Sequence, residues 1–414
     1  MSKTEMPSIR FYGFDNDWEQ RKLSEITDKV TEKNAGLQYV ETFTNSAEFG
    51  IISQRDFFDH DIAKLGSLDG YYIVKNEDFV YNPRISTSAP VGPINRNKLG
   101  RTGVMSPLYT VFRPHDIDTT YLEYFFKCGY WHSFMNFNGD SGARSDRFSI
   151  RDNVFFQMPI PIPDIDEQRK IGELLTCLGN LITLHQRKFE KLTNVKKSML
   201  KKMFPQNGSC YPEIRFKGFT DPWEQRKLGE LVDRVVRKNT NNESTLPLTI
   251  SAQYGLVDQI TYFNNRVASR NVSNYYLVLN GEFAYNKSTS DGYPFGAVKR
   301  LDLYEKGVLS TLYIVFAPKK EQQIDSDYLT VFFDTDRWHK GVAERAAEGA
   351  RNHGLLNISA EDFFDIDLSV PKDIVEQKQI GAFIRQLDNL ITLHQRELEK
   401  LQSIKKALLE KMFV

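Results

Sequence analysis

The strongest constraint on this chain is an internal repeat. The segment Trp18-Glu-Gln-Arg-Lys-Leu23 returns as Trp223-Glu-Gln-Arg-Lys-Leu228. Near the end of each half, Asn180-Leu-Ile-Thr-Leu-His-Gln-Arg187 returns as Asn389-Leu-Ile-Thr-Leu-His-Gln-Arg396. The two blocks recur at nearly the same separation along the sequence, which indicates two homologous halves. Such a chain can fold as a pseudo-twofold dimer within one polypeptide, and this constrains what it can bind.

Composition narrows the class of protein. The 414 residues suffice for several domains, and the 40% hydrophobic and 13% aromatic fractions suffice for buried cores. Basic and acidic side chains balance at 54 each, so a polyanion must be met by a local basic patch. Cys128, Cys177 and Cys210 are too few and too scattered for a disulfide framework or a zinc site. With no apolar signal core or apolar run of ~20 residues, a cytoplasmic protein is expected.

Each half ends in a long helical pattern. Residues from Glu167 to Phe204 include no proline, and apolar positions recur in alternating steps of four and three. This is the roughly 3.5-residue repeat of a coiled coil. The nearest partner for one stripe is the other, and a twofold-related pair would run antiparallel. The predicted coiled-coil interface residues are Ile171, Leu178, Ile182, His185, Leu192, Ile380, Leu387, Ile391, His394 and Leu401.

Two features of these helices allow more than one interpretation. His185 and His394 sit in the stripe, either as register-setting polar residues inside the seam or as a metal or pH-sensitive pair, and the first interpretation is favoured. Prolines precede each helix, and Glu167 and Glu376 fall in the first turn, where a carboxylate suits a helix start. The lysines at the helix ends suit the helix dipole, which is the favoured interpretation, and contact with a DNA backbone or a partner is the alternative.

The segments before the helices predict mixed α/β folds. Runs rich in aromatic and β-branched residues, such as Phe79 to Tyr81 and Phe283 to Tyr285, predict strands. Tyr121 to Phe126 and Tyr328 to Phe333 predict amphipathic helices. The fold class is therefore two α/β (α+β) domains with long helices that form an antiparallel intramolecular coiled coil. The predicted boundaries are domain 1 at 1–163, helix 1 at 164–207, domain 2 at 208–372 and helix 2 at 373–414. The intervening loops differ between halves, as expected when two sites bind related but non-identical targets.

No catalytic constellation is evident in the sequence. Asn82-Pro83-Arg84 lacks the second proline and aromatic residue of an adenine-methyltransferase motif, and its counterpart begins Asn286-Lys287. Asp373 with Glu376 and Lys378 resembles a nuclease triad, but these residues open a helix, which favours a capping role. There is no phosphate-binding loop and no Gly-rich nucleotide fingerprint. We therefore predict no catalytic residue, no metal and no cofactor on this chain.

The best candidates for binding lie in loops that occur in both halves. In each half a Gly-Ala-Arg sequence lies between a predicted helix and the strand that leads to the coiled-coil helix. Arginine with small neighbours suits recognition of phosphate or guanine. A plain turn with a surface arginine is the alternative. A second set follows Ser46 and Ser251, where amide and guanidinium groups could read base edges, with an ordinary turn as the alternative. The predicted DNA-contacting residues are Arg144, Arg147, Arg351, His353, Gln54, Arg55, Gln253, Gln259, Arg84 and Lys287.

The doubled plan, the Trp-Glu-Gln-Arg-Lys-Leu openings and the Glu-Gln entry to each helix closely resemble specificity subunits of bacterial type I restriction-modification systems. The resemblance covers essentially the whole chain. It implies a non-catalytic reader of double-stranded DNA in which two target-recognition domains each read half of a split site. It further implies that the coiled coil acts as a ruler and docks two methyltransferase subunits, which endonuclease-translocase subunits then join. S-adenosylmethionine and ATP would be bound by those partners.

Two other classes remain open from the sequence. One is a duplicated-domain methyltransferase or nuclease that acts alone, against which the missing cofactor and metal motifs argue. The other is an adaptor that pairs two protein partners through the coiled coil. Binding of bipartite DNA, by the chain alone and with a modification subunit, separates these classes.

Overall fold

A computed structural model describes residues 6–59, 65–140, 146–206, 208–251, 254–346 and 354–413. The chain forms two compact units. Unit 1 comprises residues 1–186 and 396–414, and unit 2 comprises residues 187–395. Each unit therefore holds one copy of the mixed domain together with a segment of each long helix. The predicted domain boundaries were drawn from the sequence repeat, whereas the two units are defined by their compactness. The predicted boundaries stay a prediction.

The first half contains ten strands and five helices among the described residues. Strands β1 to β10 are Glu19–Lys22, Thr27–Lys29, Phe43–Ser46, Gly50–Ser53, Tyr72–Val74, Phe79–Tyr81, Ile94–Arg96, Gly103–Met105, Thr110–Pro114 and Pro159–Ile162. Helices α1 to α5 are Gln54–Phe58, Thr119–Lys127, His132–Asn138, Asp152–Phe155 and Ile165–Lys202. Short 3-10 helices occupy Leu23–Glu25 and Leu65–Gly70.

The second half repeats this order. Strands β11 to β20 are Glu224–Lys227, Val232–Arg234, Leu248–Ser251, Gly255–Asp258, Tyr276–Leu279, Phe283–Asn286, Ala297–Arg300, Lys306–Leu309, Ile314–Pro318 and Asp367–Val370. Helices α6 to α11 are Leu228–Leu231, Gln259–Phe263, Ser326–Phe333, His339–Arg345, Ala360–Phe364 and Ile374–Lys411.

Each unit is built on a four-stranded antiparallel sheet. The strand order is β2-β9-β6-β7 in unit 1 and β12-β19-β16-β17 in unit 2, with two-stranded antiparallel pairs around it. Aromatic rings stack across the two central strands, Phe79 on Phe112 with centroids 5.6 Å apart and Phe283 on Phe316 at 5.4 Å. Such cross-strand aromatic pairs stabilise a sheet because both rings are removed from water together. The predicted α+β class is confirmed.

The first turns of each long helix pack on the domain that precedes it. Ile171 and Leu175 join the core cluster of unit 1, and Ile380 and Ile384 join that of unit 2. The start of the apolar stripe therefore serves the domain core as well as helix pairing.

Within each unit the two helix segments run antiparallel, as predicted. In unit 1, an ideal Cβ at Gly179 lies 3.2 Å from the Nζ of Lys405. Farther toward the start of helix α5, Leu175 shares a cluster with Met412 at the end of α11. In unit 2, Lys196 pairs with Asp388, whereas Met203 shares a cluster with the earlier Ile380. Residue numbers rise along one segment as they fall along the other, which defines an antiparallel pair.

Candidate nucleic-acid interface

An ion pair at the start of each long helix fixes the helix to its domain. Arg10 donates from Nε and Nη2 to the two oxygens of Glu167 at 2.7 and 2.8 Å, and Trp18 Nε1 donates to the same carboxylate at 3.2 Å. The Glu167 side chain is 0% exposed. Arg215 and Trp223 hold Glu376 in the same way in unit 2. A buried carboxylate requires such partners. The tryptophan of each Trp-Glu-Gln repeat and the glutamate in the first turn of each helix therefore act together to fix the helix to its domain.

Glu167 and Glu376 lie in the first turn of their helices, as predicted, and Asp373 caps the second helix by accepting from Val375 N at 2.8 Å. The pairing with arginine and tryptophan is a further role that was not predicted from the sequence for these glutamates. Their carboxylates bind an arginine and a tryptophan distant in sequence, and the arginine fork suits a bidentate contact. The hydrogen bond with Glu167, partly offset by desolvation, raises the pKa of Arg10 above its usual value. The repeated Arg-Phe sequence at Arg10 and Arg215 was the signal that could have identified the partner.

In unit 1 the flank of the Gly-Ala-Arg loop pairs with the segment after β6. Arg84 and Arg147 face each other in an antiparallel bridge. Ile85 N donates to the carbonyl of Asp146 at 3.0 Å, and Phe148 N donates to the carbonyl of Pro83 at 2.8 Å. The structure thus brings together two of the predicted DNA-contacting arginines, which are distant in the sequence.

The same backbone pairing occurs in unit 2 with different side chains. Ser288 bridges Leu355, and Leu356 N donates to the carbonyl of Lys287 at 2.9 Å. The ammonium of the predicted contact Lys287 donates to the carbonyl of Ile358 at 3.4 Å. The paired segments are therefore common to the two units, whereas the side chains they present are not.

In both units a glycine lets the chain pass close to the backbone at the end of a central strand, β6 in unit 1 and β16 in unit 2. Gly92 has φ +85°, and a Cβ there would lie 2.2 Å from the carbonyl oxygen of Asn82. Gly296 has φ +77°, with a Cβ position 2.1 Å from the carbonyl oxygen of Asn286. A side chain is excluded by both the contact and the backbone conformation. Asn82 Oδ1 accepts from the backbone N–H of Arg84 at 3.0 Å, so this asparagine shapes the turn.

The arginines of this surface are available to an anion. Among the described residues, the guanidinium groups of Arg84, Arg147 and Arg151 make no hydrogen bond or ion pair with another side chain. Arg147 lines a cavity of about 480 Å³ together with Lys29 and Asp152. Arg151, just before helix α4, was not predicted, and its counterpart in unit 2 is Ser359, which caps helix α10 through Asp362 N at 3.0 Å. The unpaired guanidinium groups of Arg84 and Arg147, which the backbone bridge brings together, suit contacts with phosphate or guanine.

The second set of predicted DNA-contacting residues, Gln54, Arg55 and Gln259, is less available for contact with DNA. Gln54 is 8% exposed, and its Nε2 donates to the carbonyl of Phe43 at 3.3 Å. A base contact by Gln54 disagrees with this burial. Arg55 is exposed on helix α1 and has an interaction within the chain. Gln259 is half-buried and accepts from the backbone N–H of Ala268 at 2.6 Å, so its side chain shapes its own loop.

Four predicted contacts lie outside the described residues. They are Arg144, Arg351, His353 and Gln253. Their contact with DNA stays a prediction.

The predicted coiled-coil residues differ in burial. Ile171, Leu178, Ile380 and Leu387 are buried, at 1, 9, 2 and 8% exposure. The remaining six are partly exposed, namely Ile182, His185, Leu192, Ile391, His394 and Leu401. Helix contact is thus tightest where each helix also meets its domain.

The described part of the chain contains no candidate membrane-spanning helix and no candidate metal site. Within the described ranges, no helix is both long and apolar enough to cross a membrane. The same ranges contain no group of three or more His, Cys, Asp or Glu side chains arranged to hold a metal ion.

Comparison with known proteins places the duplicated fold in a family. Residues 15–194 and 220–403 each match the type I restriction modification DNA specificity domain. Together these matches cover most of the chain, and the protein belongs to this family of DNA specificity subunits. The family's members are non-catalytic, and methylation and cleavage are carried by other subunits.

Individual relatives are distant. The MjaVIII specificity subunit of a type I restriction enzyme from Methanocaldococcus jannaschii is 24% identical over 269 residues, 62% of this chain and 61% of that protein. The match thus spans about three-fifths of that relative's length. The crystal structure of a type I restriction-modification S subunit from M. genitalium has a TM-score of 0.59 and 13% identity, with 99% of each chain covered. That likeness supports the fold.

Proposed function

We propose that this chain gives a type I restriction-modification complex its DNA sequence specificity by reading a bipartite site. Each unit contacts one half of the site through the paired loops beside its central sheet. In unit 1 this surface carries Arg84 and Arg147, with Arg151 four residues farther along the chain, and in unit 2 it carries Lys287 and Leu355.

The observation that carries the proposal is one backbone pairing with two sets of side chains. The bridge Arg84–Arg147 and the bridge Ser288–Leu355 occupy the same place in the two units. A reader of two different half-sequences needs this combination, because the framework must position the backbone while the side chains choose the bases. A basic surface in unit 1 and a more apolar one in unit 2 would then prefer different base edges, including the thymine methyl group in the second case.

The helices complete the proposal. They set the gap between half-sites, about one helical turn or ~34–36 Å from centre to centre. They also dock two methyltransferase subunits, which bind S-adenosylmethionine and methylate adenine, and endonuclease-translocase subunits with ATP complete the restriction complex. The complex acts in the cytoplasm. The chain itself contributes no catalytic residue.

Single-molecule methylome sequencing tests this division of labour. Cells with and without the gene should differ in methylation at one bipartite sequence. Exchange of residues 1–160 for those of a relative should change one half-sequence and leave the other half and the gap intact. A methylome in which both half-sequences change together would contradict the assignment of one unit to each half.

The ruler is tested by lengthening both helices together. Four residues inserted near Thr193 alone would move Lys196 by about one turn, or ~6 Å, from Asp388 and so break their ion pair. A matched insertion near Ile391 preserves that pairing. The double insertion should lengthen the preferred gap by about one or two base pairs with both half-sequences unchanged. An unchanged gap with new bases would refute the ruler.

A further inference from the structure

One lysine position of the helix repeat has different surroundings in the two units. In unit 2, Lys196 Nζ lies 2.7 Å from Asp388 Oδ1 and 3.3 Å from Asp334 Oδ2. Lys299 Nζ pairs with the other oxygen of Asp334 at 2.8 Å. Two carboxylates thus balance two ammonium groups within unit 2, and the site is satisfied by the chain itself.

The equivalent lysine in unit 1 is Lys405, and both aspartates are replaced. Alignment of the repeated helices puts Gly179 where unit 2 has Asp388. Alignment of Phe125-Phe126 with Phe332-Phe333 puts Lys127 where unit 2 has Asp334. The position of the lysine is nevertheless retained, because an ideal Cβ on Gly179 would lie 3.2 Å from Lys405 Nζ.

Positive charge is in excess around Lys405. Lys127 and Lys98 pair with the same Glu123, and Arg96 Nη2 lies 2.6 Å from that carboxylate. Within the described part of the chain, no carboxylate lies at ion-pair distance from Lys405. Its Nζ instead lies 5.5 Å from the centre of the Tyr124 ring. Burial and the charge of Lys127 outweigh the opposing charge of Glu123 and lower the pKa of Lys405, as expected for an ammonium without a carboxylate at ion-pair distance.

Two of these cations, Lys127 and Lys405, line an open cavity of about 340 Å³ on the helix pair. Its lining also includes Ile182, Lys406 and Glu410. The volume accommodates the end of a side chain. The combination of an apolar helix face and clustered ammonium groups suits an acidic side chain better than a neutral one.

We propose that this pocket binds an Asp or Glu side chain of a partner subunit that docks on the helices. Unit 2 provides the template, because its own Asp334 and Asp388 place carboxylates against the equivalent lysine. The identity of the partner, a methyltransferase subunit, rests on the proposed function. The preference of the pocket for an acidic side chain is independent of the proposed function. The two docking surfaces are then unequal, since only the unit 1 surface requires an acidic anchor from outside.

Two isosteric substitutions of the full-length chain test the proposal. Gly179→Asp supplies the missing carboxylate from within, whereas Gly179→Asn fills the same space without charge. The Asp variant should melt at a higher temperature than the Asn variant. It should also bind the purified methyltransferase subunit about tenfold more weakly, since Lys405 then already has a carboxylate partner.

The other outcomes overturn the proposal. Equal affinity and equal melting temperature for the two variants would mean that Lys405 needs no anion. Equal weakening by Asp and Asn would indicate a steric effect of the side chain. Unchanged partner affinity with reduced DNA affinity would assign the pocket to a phosphate instead. Failure of the wild-type complex to bind bipartite DNA would reject the proposed function and leave the comparison of partner affinities valid.

Discussion

At the scale of single residues, Arg147 offers the clearest test of DNA contact. Its guanidinium is unpaired within the described residues and lies beside Arg84 on the paired loops. Arg147→Ala should weaken binding to the unit 1 half-site by ~1–3 kcal/mol if the arginine contacts a guanine, or weaken all sequences similarly if it contacts phosphate. Titration of labelled duplexes that vary one half-site at a time distinguishes these results.

A matched control is available in the same unit. Arg101 is also exposed, but its guanidinium is held by Glu41 at 2.7 and 2.8 Å. Arg101→Ala should leave DNA affinity unchanged. If the two alanine variants lose affinity equally, the effect reflects general charge rather than a contact by Arg147.

The half-buried Asp334, whose side chain is 21% exposed, predicts an acid sensitivity of unit 2. Burial raises the pKa of this carboxyl, but Lys299 and Lys196 outweigh that effect and hold it below the usual value. Because the folded-state pKa is depressed, the stabilisation is present above the unfolded-state value of about 3.9 and is lost as pH falls through the folded-state pKa. Asp334→Asn should lower the free energy of unfolding at neutral pH by ~1–3 kcal/mol, because Lys299 loses its carboxylate partner while Lys196 keeps Asp388.

The pH profile distinguishes this charge effect from a packing defect. Chemical denaturation of the Asn variant should show a smaller loss of stability on acidification below about pH 4 than the wild type. Parallel profiles for the two proteins would show that Asp334 contributes no linked proton.

At the scale of elements, the end of each long helix completes the core of a domain. Phe413, 5% exposed, lies 5.4 Å from the Tyr121 ring, and Phe204, 1% exposed, lies 5.7 Å from the rings of Trp223 and Tyr328. Removal of a buried phenylalanine costs ~3–5 kcal/mol, through lost burial and the cavity that remains. Phe413→Ala should therefore destabilise unit 1, and Phe204→Ala should destabilise unit 2.

Hydrogen exchange resolved by segment measures these effects separately. Faster exchange in helix α2 is expected for Phe413→Ala, and faster exchange in helix α8 for Phe204→Ala. Phe137→Ala is the control, because that ring is 90% exposed and should change neither. Uniform acceleration in both units by either core substitution would mean that the units do not unfold independently.

At the scale of the whole molecule, the repeat predicts that half of the chain can assemble with itself. Unit 1 draws Met412 and Phe413 from the end of the chain, so a fragment of residues 1–207 lacks them. The fragment carries the matching Met203 and Phe204, which a second copy can supply to the vacant position. It should therefore form a dimer at micromolar concentration and read a symmetric interrupted site.

Analytical ultracentrifugation measures this dimer. A fragment of residues 1–200 removes Met203 and Phe204 and should fail to dimerise, while it retains most of the helical stripe. A stable monomer of the longer fragment would refute the pairing of the helices by their repeated ends.

The sequence by itself determined the architecture of this protein. The repeat predicted two homologous domains, the run of apolar positions predicted the long helices, and the aromatic strands Phe79 to Tyr81 and Phe283 to Tyr285 were placed correctly. These features can be predicted from the sequence because the period of apolar residues and the enrichment in β-branched or aromatic residues are local properties. The matched motifs were specific enough to predict the family as well.

Only the tertiary structure decided which side chains are available. The pairing of Arg84 with Arg147, the burial of Gln54 and the anchoring of Glu167 by Arg10 depend on contacts between segments distant in the sequence. The unpaired Lys405 was likewise invisible, because its equivalence to Lys196 gave no sign that the facing aspartates were absent. A local pattern fixes which face of an element is apolar, but the partner of each polar group is fixed by the packing of the whole unit.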